Sequence, residues 1–304
     1  MAHHHGHAHA APRGGAERPA GKSLLATIGL TVAIMILEVV GGFWANSLSL
    51  LSDAGHMLTD ALALGMALFA VTVACRPATA RKTYGYYRVE ILSALTNGVV
   101  LVVIALAIFY EAWRRFAEPQ PVQGTVLLVV SAIGLTANLA GMWLLSRASH
   151  NLNVRAARLH VMSDALSSGG VLVAGVVILM TSWYRIDSLL SFVIAVVILV
   201  GAYHILKETV DILLESTPVH LELVEVTRAI EAIDGIRGVH DLHIWSITSG
   251  MTALSGHVIL DSATLANSDH LLNCIKEMLK QRFCIEHTTI QVESESYAEV
   301  GEIH

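Results

Sequence analysis

Charge is scarce in this sequence. Asp, Glu, Lys and Arg make up 14% of its 304 residues, where a soluble domain carries about 25%. So little charge beside 54% hydrophobic residues and a mean hydropathy of +0.60 excludes an ordinary soluble globule and points to a chain dissolved in lipid. Cysteine is scarce too. Cys75, Cys274 and Cys284 are odd in number and form no Cys-x-x-Cys pair, which argues against a disulfide framework and against a thiolate zinc cluster. Free thiols at Cys274 and Cys284 suit a reducing cytoplasm. No basic stretch with interleaved aromatics occurs, so nucleic acid is not an expected partner. No His-Glu-x-x-His occurs either, so a hydrolytic zinc enzyme would lack both its ligands and its base, and the chain is not expected to be an enzyme. A cleavable signal peptide is also missing: the first apolar run starts near Ser23 and is too long for a signal core.

What is present is a set of long apolar runs. Six of them, near 23–45, 49–75, 90–112, 122–145, 157–182 and 187–210, have roughly the 17–25 residues that cross a bilayer. The turn around Ala45-Asn46-Ser47 is short enough to make the first two an antiparallel hairpin. Pro119 and Pro121 punctuate the third connection, and residues 182–187 the fifth. Positive charge orients the bundle. Arg13, Arg18, Lys22, Arg76, Arg81, Lys82, Arg88, Arg147, Arg155, Arg158 and Lys207 flank one side, while Arg114, Arg115 and Arg185 flank the other. Both termini are therefore expected in the cytoplasm. Ahead of the first run, MAHHHGHAHA holds five histidines, interrupted at Gly6 and Ala8 unlike a standard cloning tag. Such a tract reads as a metal-gathering, disordered tail.

After Pro218 the pattern changes. Residues 219–233 carry helical apolar spacing. Strands are expected at 239–249 and 252–260, joined by Ser249-Gly250-Met251. A helix over 264–283 and a strand over 286–294 follow. The order α-β-β-α-β fits a small ferredoxin-like α+β sandwich. The expected organisation is a tail over 1–22, an all-α six-helix membrane domain over 23–211 and a cytoplasmic α+β domain over 212–304.

Ionisable side chains at membrane depth are costly, so each is a functional candidate. They are few here: Glu38, Asp53, Asp60 and Asp164, with His56 and His160 close in sequence. The second run reads Asp53-Ala-Gly-His56-Met-Leu-Thr-Asp60, and the fifth reads His160-Val-Met-Ser-Asp164. Residues four apart sit about 40° apart on one helix face. Two helices that each present His and Asp supply two nitrogens and two oxygens, a full tetrahedral shell for zinc. Two carboxylates also balance a divalent charge. A single His-x-x-x-Asp is a weak signal, and a lone membrane histidine is more often a packing residue. Two copies in so uncharged a chain are a strong one. Asp53 reads as a partner orienting His56, a proton relay or a helix-entry hydrogen bond. Glu38 reads as a buried structural or relay carboxyl, and Asn97 and Asn138 as links between helices. In the tail domain His240, His243, His257, His287 and Glu293 form a second candidate cluster, on the weaker ground of neighbouring strands.

The segments EVVGGFWANSLSLLSDAGHMLTD at 38–60, RKTYGYYRVEILSALTNG at 81–98, LNVRAARLHVMSD at 152–164, VHDLHIWSITSG at 239–250 and HTTIQVE at 287–293 together resemble the cation diffusion facilitator family, its bacterial zinc-exporting members in particular. The resemblance implies a homodimer in the bacterial inner membrane that exchanges metal for protons. It implies that His56, Asp60, His160 and Asp164 bind the transported zinc, with no organic cofactor. It further implies that the cytoplasmic domain holds metal, with His240, His257 and Glu293 at ligand positions and His287 aligned less securely. The loop RPATARKTYGYYR at 76–88 has none of the acids and histidines that build a further site in some relatives. Some relatives carry Glu where this chain has His160, and the histidine favours zinc. Two borderline nitrogens and two oxygens suit zinc, and also admit cadmium or cobalt, over manganese or magnesium. A passive channel conflicts with tight four-ligand binding, since the ion must also leave. A membrane-bound metal sensor would make the tail domain the working part.

Overall fold

The computed structural model describes residues 18–146, 152–261, 264 and 267–294, with side chains from Gly29 onward except those of residues 144–146, 152–157, 159 and 160. The histidine-rich opening and the link at 147–151 lie outside the described residues. Six helices come first: α1 (Arg18–Ala45), α2 (Leu48–Ala74), α3 (Arg88–Ala117), α4 (Gly124–Ser146), α5 (Leu152–Thr181) and α6 (Arg185–Leu213). They are followed by α7 (Leu223–Glu231), β1 (Ile236–Thr248), β2 (Met251–Leu260), α8 (Ser268–Phe283) and β3 (Ile285–Ser294). Among the described residues, five helices from α2 to α6 are long and apolar enough to cross a membrane, and α1 has a shorter apolar stretch, Gly29–Ala45. α1 is helical from Arg18, ahead of the expected start near Ser23. Pro119 and Pro121 keep the link between α3 and α4 out of helix, as their missing N–H and fixed φ require.

The chain divides into two compact units. One comprises residues up to Asp60 with Val103–Leu199, the other Ala61–Val102 with Val200 onward. In the first unit α1 packs on α4 and α4 on α5. Glycines permit the close approach. A methyl group on Gly175 of α5 would stand 3.3 Å from the Leu128 backbone of α4, and one on Gly124 would press on Leu179. Those pairings, start of α4 to end of α5, make the two helices antiparallel. α2 starts beside α4: the Gln123 N–H donates to Ala45 O at 2.9 Å and Asn46 Nδ2 to Pro121 O at 3.2 Å. α2 and α4 thus begin at the same end of the unit, and α5 runs against both. Ala45, Leu50, Val122, Leu127, Val130, Val171 and Ile178 form the apolar core there.

The second unit contains the α-β-β-α-β domain. β1 and β2 pair antiparallel through the turn at Gly250, whose φ of 76° suits glycine, and β2 pairs with β3 in parallel. α8 buries Leu271, Ile275, Leu279 and Phe283, spaced four apart along one face, and α7 buries Val226, Ala229 and Ile230. These meet Ile244, Leu254, Val258, Leu260 and Ile285 of the sheet. α8 ends at Cys284, a left-handed cap whose N–H donates to Leu279 O.

Truncating this core has a defined cost. Leu279→Ala is expected to destabilise the α-β-β-α-β domain by about 2–5 kcal/mol, read as a lower unfolding midpoint. Val224→Ala, on the exposed side of α7, should leave the midpoint unchanged.

Candidate metal centre

His56 and Asp60 lie one turn apart on α2, with His56 Nε2 3.6 Å from Asp60 Oδ2. Both side chains are partly open, at 27% and 35% exposure. His56 Nδ1 is buried without a hydrogen-bond partner, so no neighbour competes for that nitrogen. Asp164 on α5 is 2% exposed. His160 belongs to α5 one turn earlier, and its side chain lies outside the described residues.

One contact sets α2 and α5 against each other in depth. Ser168 Oγ of α5 donates to Asp53 Oδ2 of α2 at 3.4 Å, and Asn138 Nδ2 of α4 donates to Ser168 Oγ at 3.4 Å. Because the helices run in opposite directions, going forward from Asp53 and backward from Ser168 moves the same way along the bundle. At about 1.5 Å per residue, His56 then lies about 4.5 Å from that level and the Asp164 backbone about 6 Å. By the same count Asp60 lies about 10.5 Å along and the His160 backbone about 12 Å. The two motifs therefore occupy matched depths on helices in contact. Glu38 of α1 is 0% exposed, has no hydrogen-bond partner on either oxygen and lies within electrostatic reach of Asp53 and Asp164. Gly134 of α4 leaves the space for it, since a methyl group there would meet Glu38 Oε1 at 3.0 Å. Asn138 makes the expected link between helices, whereas Asn97 Oδ1 is buried without a partner.

The second cluster is in the sheet. His240 on β1 and His257 on β2 are cross-strand partners, and Glu293 on β3, paired with Ile259, is two register positions further along. The parallel β2–β3 pairing carries all three to one spot. Ligand atoms of His240, His257 and Glu293 all lie within 4.8 Å of one another. His240 Nε2 is 3.0 Å from Glu293 Oε2, and His257 Nδ1 is 2.9 Å from Glu293 Oε1 but out of line for a hydrogen bond. Glu293 is buried and also accepts from Gln291 Nε2 at 2.8 Å. A bulge between His240 and His243 puts Asp241 in the left-handed region, φ 50°. It stands beside the cluster, with Asp241 Oδ2 3.9 Å from His257 Nε2 and Asp241 Oδ1 3.0 Å from His243 Nε2. His287 sits elsewhere, at the start of β3 and edge-on to Tyr84 with ring centroids 6.4 Å apart. Two imidazoles and a carboxylate, with His240 Nδ1 and His257 Nδ1 lacking hydrogen bonds, are a donor set that fits a divalent metal of zinc type.

Burial alone would lift the Glu293 carboxyl. Hydrogen bonds from His240 and Gln291, with the charge of His240 and His257, bring it below the ordinary carboxylate value.

Two family models match the chain: "Cation efflux transmembrane domain" over residues 24–214 and "Cation efflux protein, cytoplasmic domain" over residues 218–295. The "Cadmium, cobalt and zinc/H(+)-K(+) antiporter" of Bacillus subtilis is 42% identical, covering 91% of this chain and 90% of that one. The "Metal cation efflux system protein CzcD" of Cupriavidus metallidurans is 43% identical, covering 95% and 90%. The "Zinc transporter ZitB" of Escherichia coli is 41% identical, covering 96% and 93%.

A carboxyl held low in the folded state stabilises the fold at pH above its ordinary value, and the contribution disappears as pH falls through the lowered one. Glu293→Gln should therefore flatten the acid limb of the metal-free protein's stability, followed by unfolding of the α-β-β-α-β domain between about pH 5 and pH 2.

Proposed function

The chain belongs to the cation efflux family, also called cation diffusion facilitators, and from that premise we propose that it exports zinc from the cytoplasm in exchange for protons through His56, Asp60, His160 and Asp164. The supporting observation is the matched depth of the two His-x-x-x-Asp motifs on antiparallel helices joined at Asp53 and Ser168. Histidine binds metal when neutral and aspartate when ionised, so loading the site releases protons and protons on the far side compete the ion off. Rocking of the helices then gives alternating access without opening a continuous pore. The donor set extends the cargo to cadmium and cobalt, metals that the Bacillus relative's name includes.

The reading places residues 23–211 in the bacterial inner membrane as a six-helix domain, with both termini and residues 212–304 in the cytoplasm. The protein works as a homodimer. His240, His257 and Glu293 hold a regulatory zinc ion in the cytoplasmic domain. There the imidazoles supply the nitrogens and the buried carboxylate the charge.

The test is purified protein in liposomes with an internal zinc dye and an imposed pH step. Asp60→Ala and Asp164→Ala should each abolish zinc flux while helix content and dimer are retained. Normal transport by both variants would overturn the site. His56→Asp or His160→Asp should narrow the preference for zinc over cadmium, and unchanged relative rates of the two ions would count against the role given to the imidazoles.

A further inference from the structure

A helix start leaves its first backbone N–H groups without intrahelical partners. At α2 these are satisfied from two sources, the residue ahead of the helix and a different helix. The Leu50 N–H donates to Ser47 Oγ at 3.2 Å, which is an ordinary N-cap. The Leu48 N–H donates instead to Asp187 Oδ2 at 2.7 Å, and the Ser49 N–H to Asp187 Oδ1 at 3.2 Å. The hydroxyls of Ser47 and Ser49 both donate to Asp187 Oδ1 at 2.6 Å. Asp187 belongs to the first turn of α6 and is 1% exposed, and Ser47 and Ser49 are wholly buried. One carboxylate from α6 thus accepts four hydrogen bonds from three consecutive residues at the start of α2. It also lies at the positive end of both helix dipoles.

Capping alone does not need this. Ser47 already provides a side-chain acceptor, and water or a local side chain serves most helix starts. A two-oxygen acceptor gripping consecutive N–H groups fixes both how deep α2 starts and how it is rotated about its axis. The adjoining turn is held from other sides: the Ser47 N–H donates to Gly42 O at 3.0 Å, and Arg115 Nη1 donates to Asn46 O at 2.8 Å. From Leu48 the helix continues unbroken through His56 and Asp60, about 12 and 18 Å further on. A slip of one residue at its start would turn both side chains by about 100°.

We propose that Asp187 is a positioning residue for the transport site, fixing the depth and rotation at which α2 presents His56 and Asp60 to the ion. The inference rests on the assignment of the transport site above. Aspartate suits the task because its ionised carboxylate only accepts. An asparagine of the same size would turn an N–H₂ towards one of these donors.

Full-length protein in liposomes tests this, with zinc flux giving KM and kcat and bound cobalt(II) reporting ligand geometry by its visible absorption. Asp187→Asn should raise KM for zinc about tenfold, the lower end of what loss of a group behind a metal ligand costs, with a smaller change in kcat and altered cobalt bands. Ser47→Ala combined with Ser49→Ala leaves the two N–H bonds in place and should shift KM the same way by less. Ser191→Ala, which removes only a hydrogen bond to the Asp187 backbone oxygen, should change neither. Native KM and cobalt bands in Asp187→Asn would overturn the proposal, as would a loss confined to kcat. If Asp187→Asn does not fold, the double serine variant decides by the same criteria. Native cobalt bands in Asp60→Ala would instead overturn the transport site itself, whatever Asp187 does.

Discussion

A polar atom buried in a lipid-embedded bundle finds its partner inside the protein or carries the full cost of having none. That constraint organises the first compact unit. Asp187 meets it completely, with four donors on two oxygens. Asp53 meets it through Ser168, which Asn138 supports in turn. Glu38 has no hydrogen bond on either oxygen and carries that cost. Because carboxylates are expensive here, Asp187 and Asp53 each tie two helices together.

The same constraint explains why α2 is the pivotal helix. Its start is bonded to α1, α6, the C-terminal part of α3 and the turn ahead of α4, and its middle carries Asp53, His56 and Asp60. Along its length α2 is tied to α6 at its first turn through Asp187 and to α5 further on through the Asp53–Ser168 contact. The proposed transport site would depend on both ties, since a ligand displaced by one residue faces another neighbour.

The cluster on the sheet solves its geometry differently. A parallel β2–β3 pairing lets a residue near the end of the chain stand beside a hairpin formed more than thirty residues earlier. His240 and His257 meet as direct partners, and Glu293, paired with Ile259 two positions beyond His257, reaches both. Burial of Glu293 on the sheet makes its contacts with the imidazoles strong, and the adjacent bulge brings Asp241 to the rim.

Helix periodicity and composition are local properties, so much was legible without coordinates. The long apolar runs, the α-β-β-α-β order and the His-x-x-x-Asp pair within each motif follow from residues at most a few turns apart. Start points were less legible: α1 is already helical at Arg18, ahead of the apolar run that begins near Ser23. Candidate ligands such as His240, His257 and Glu293 could be named from their chemistry, but only the parallel pairing of β3 selected those three and left His287 beside Tyr84. Asp187 read as no more than part of a turn. Its partners lie about 140 positions away, and no periodicity within a helix reports which carboxylate will cap a different one. What neighbouring residues determine is the shape and chemistry of each segment. Which segment completes another is decided by packing, because hydrogen bonds between distant parts of a chain exist only once the fold has brought them together.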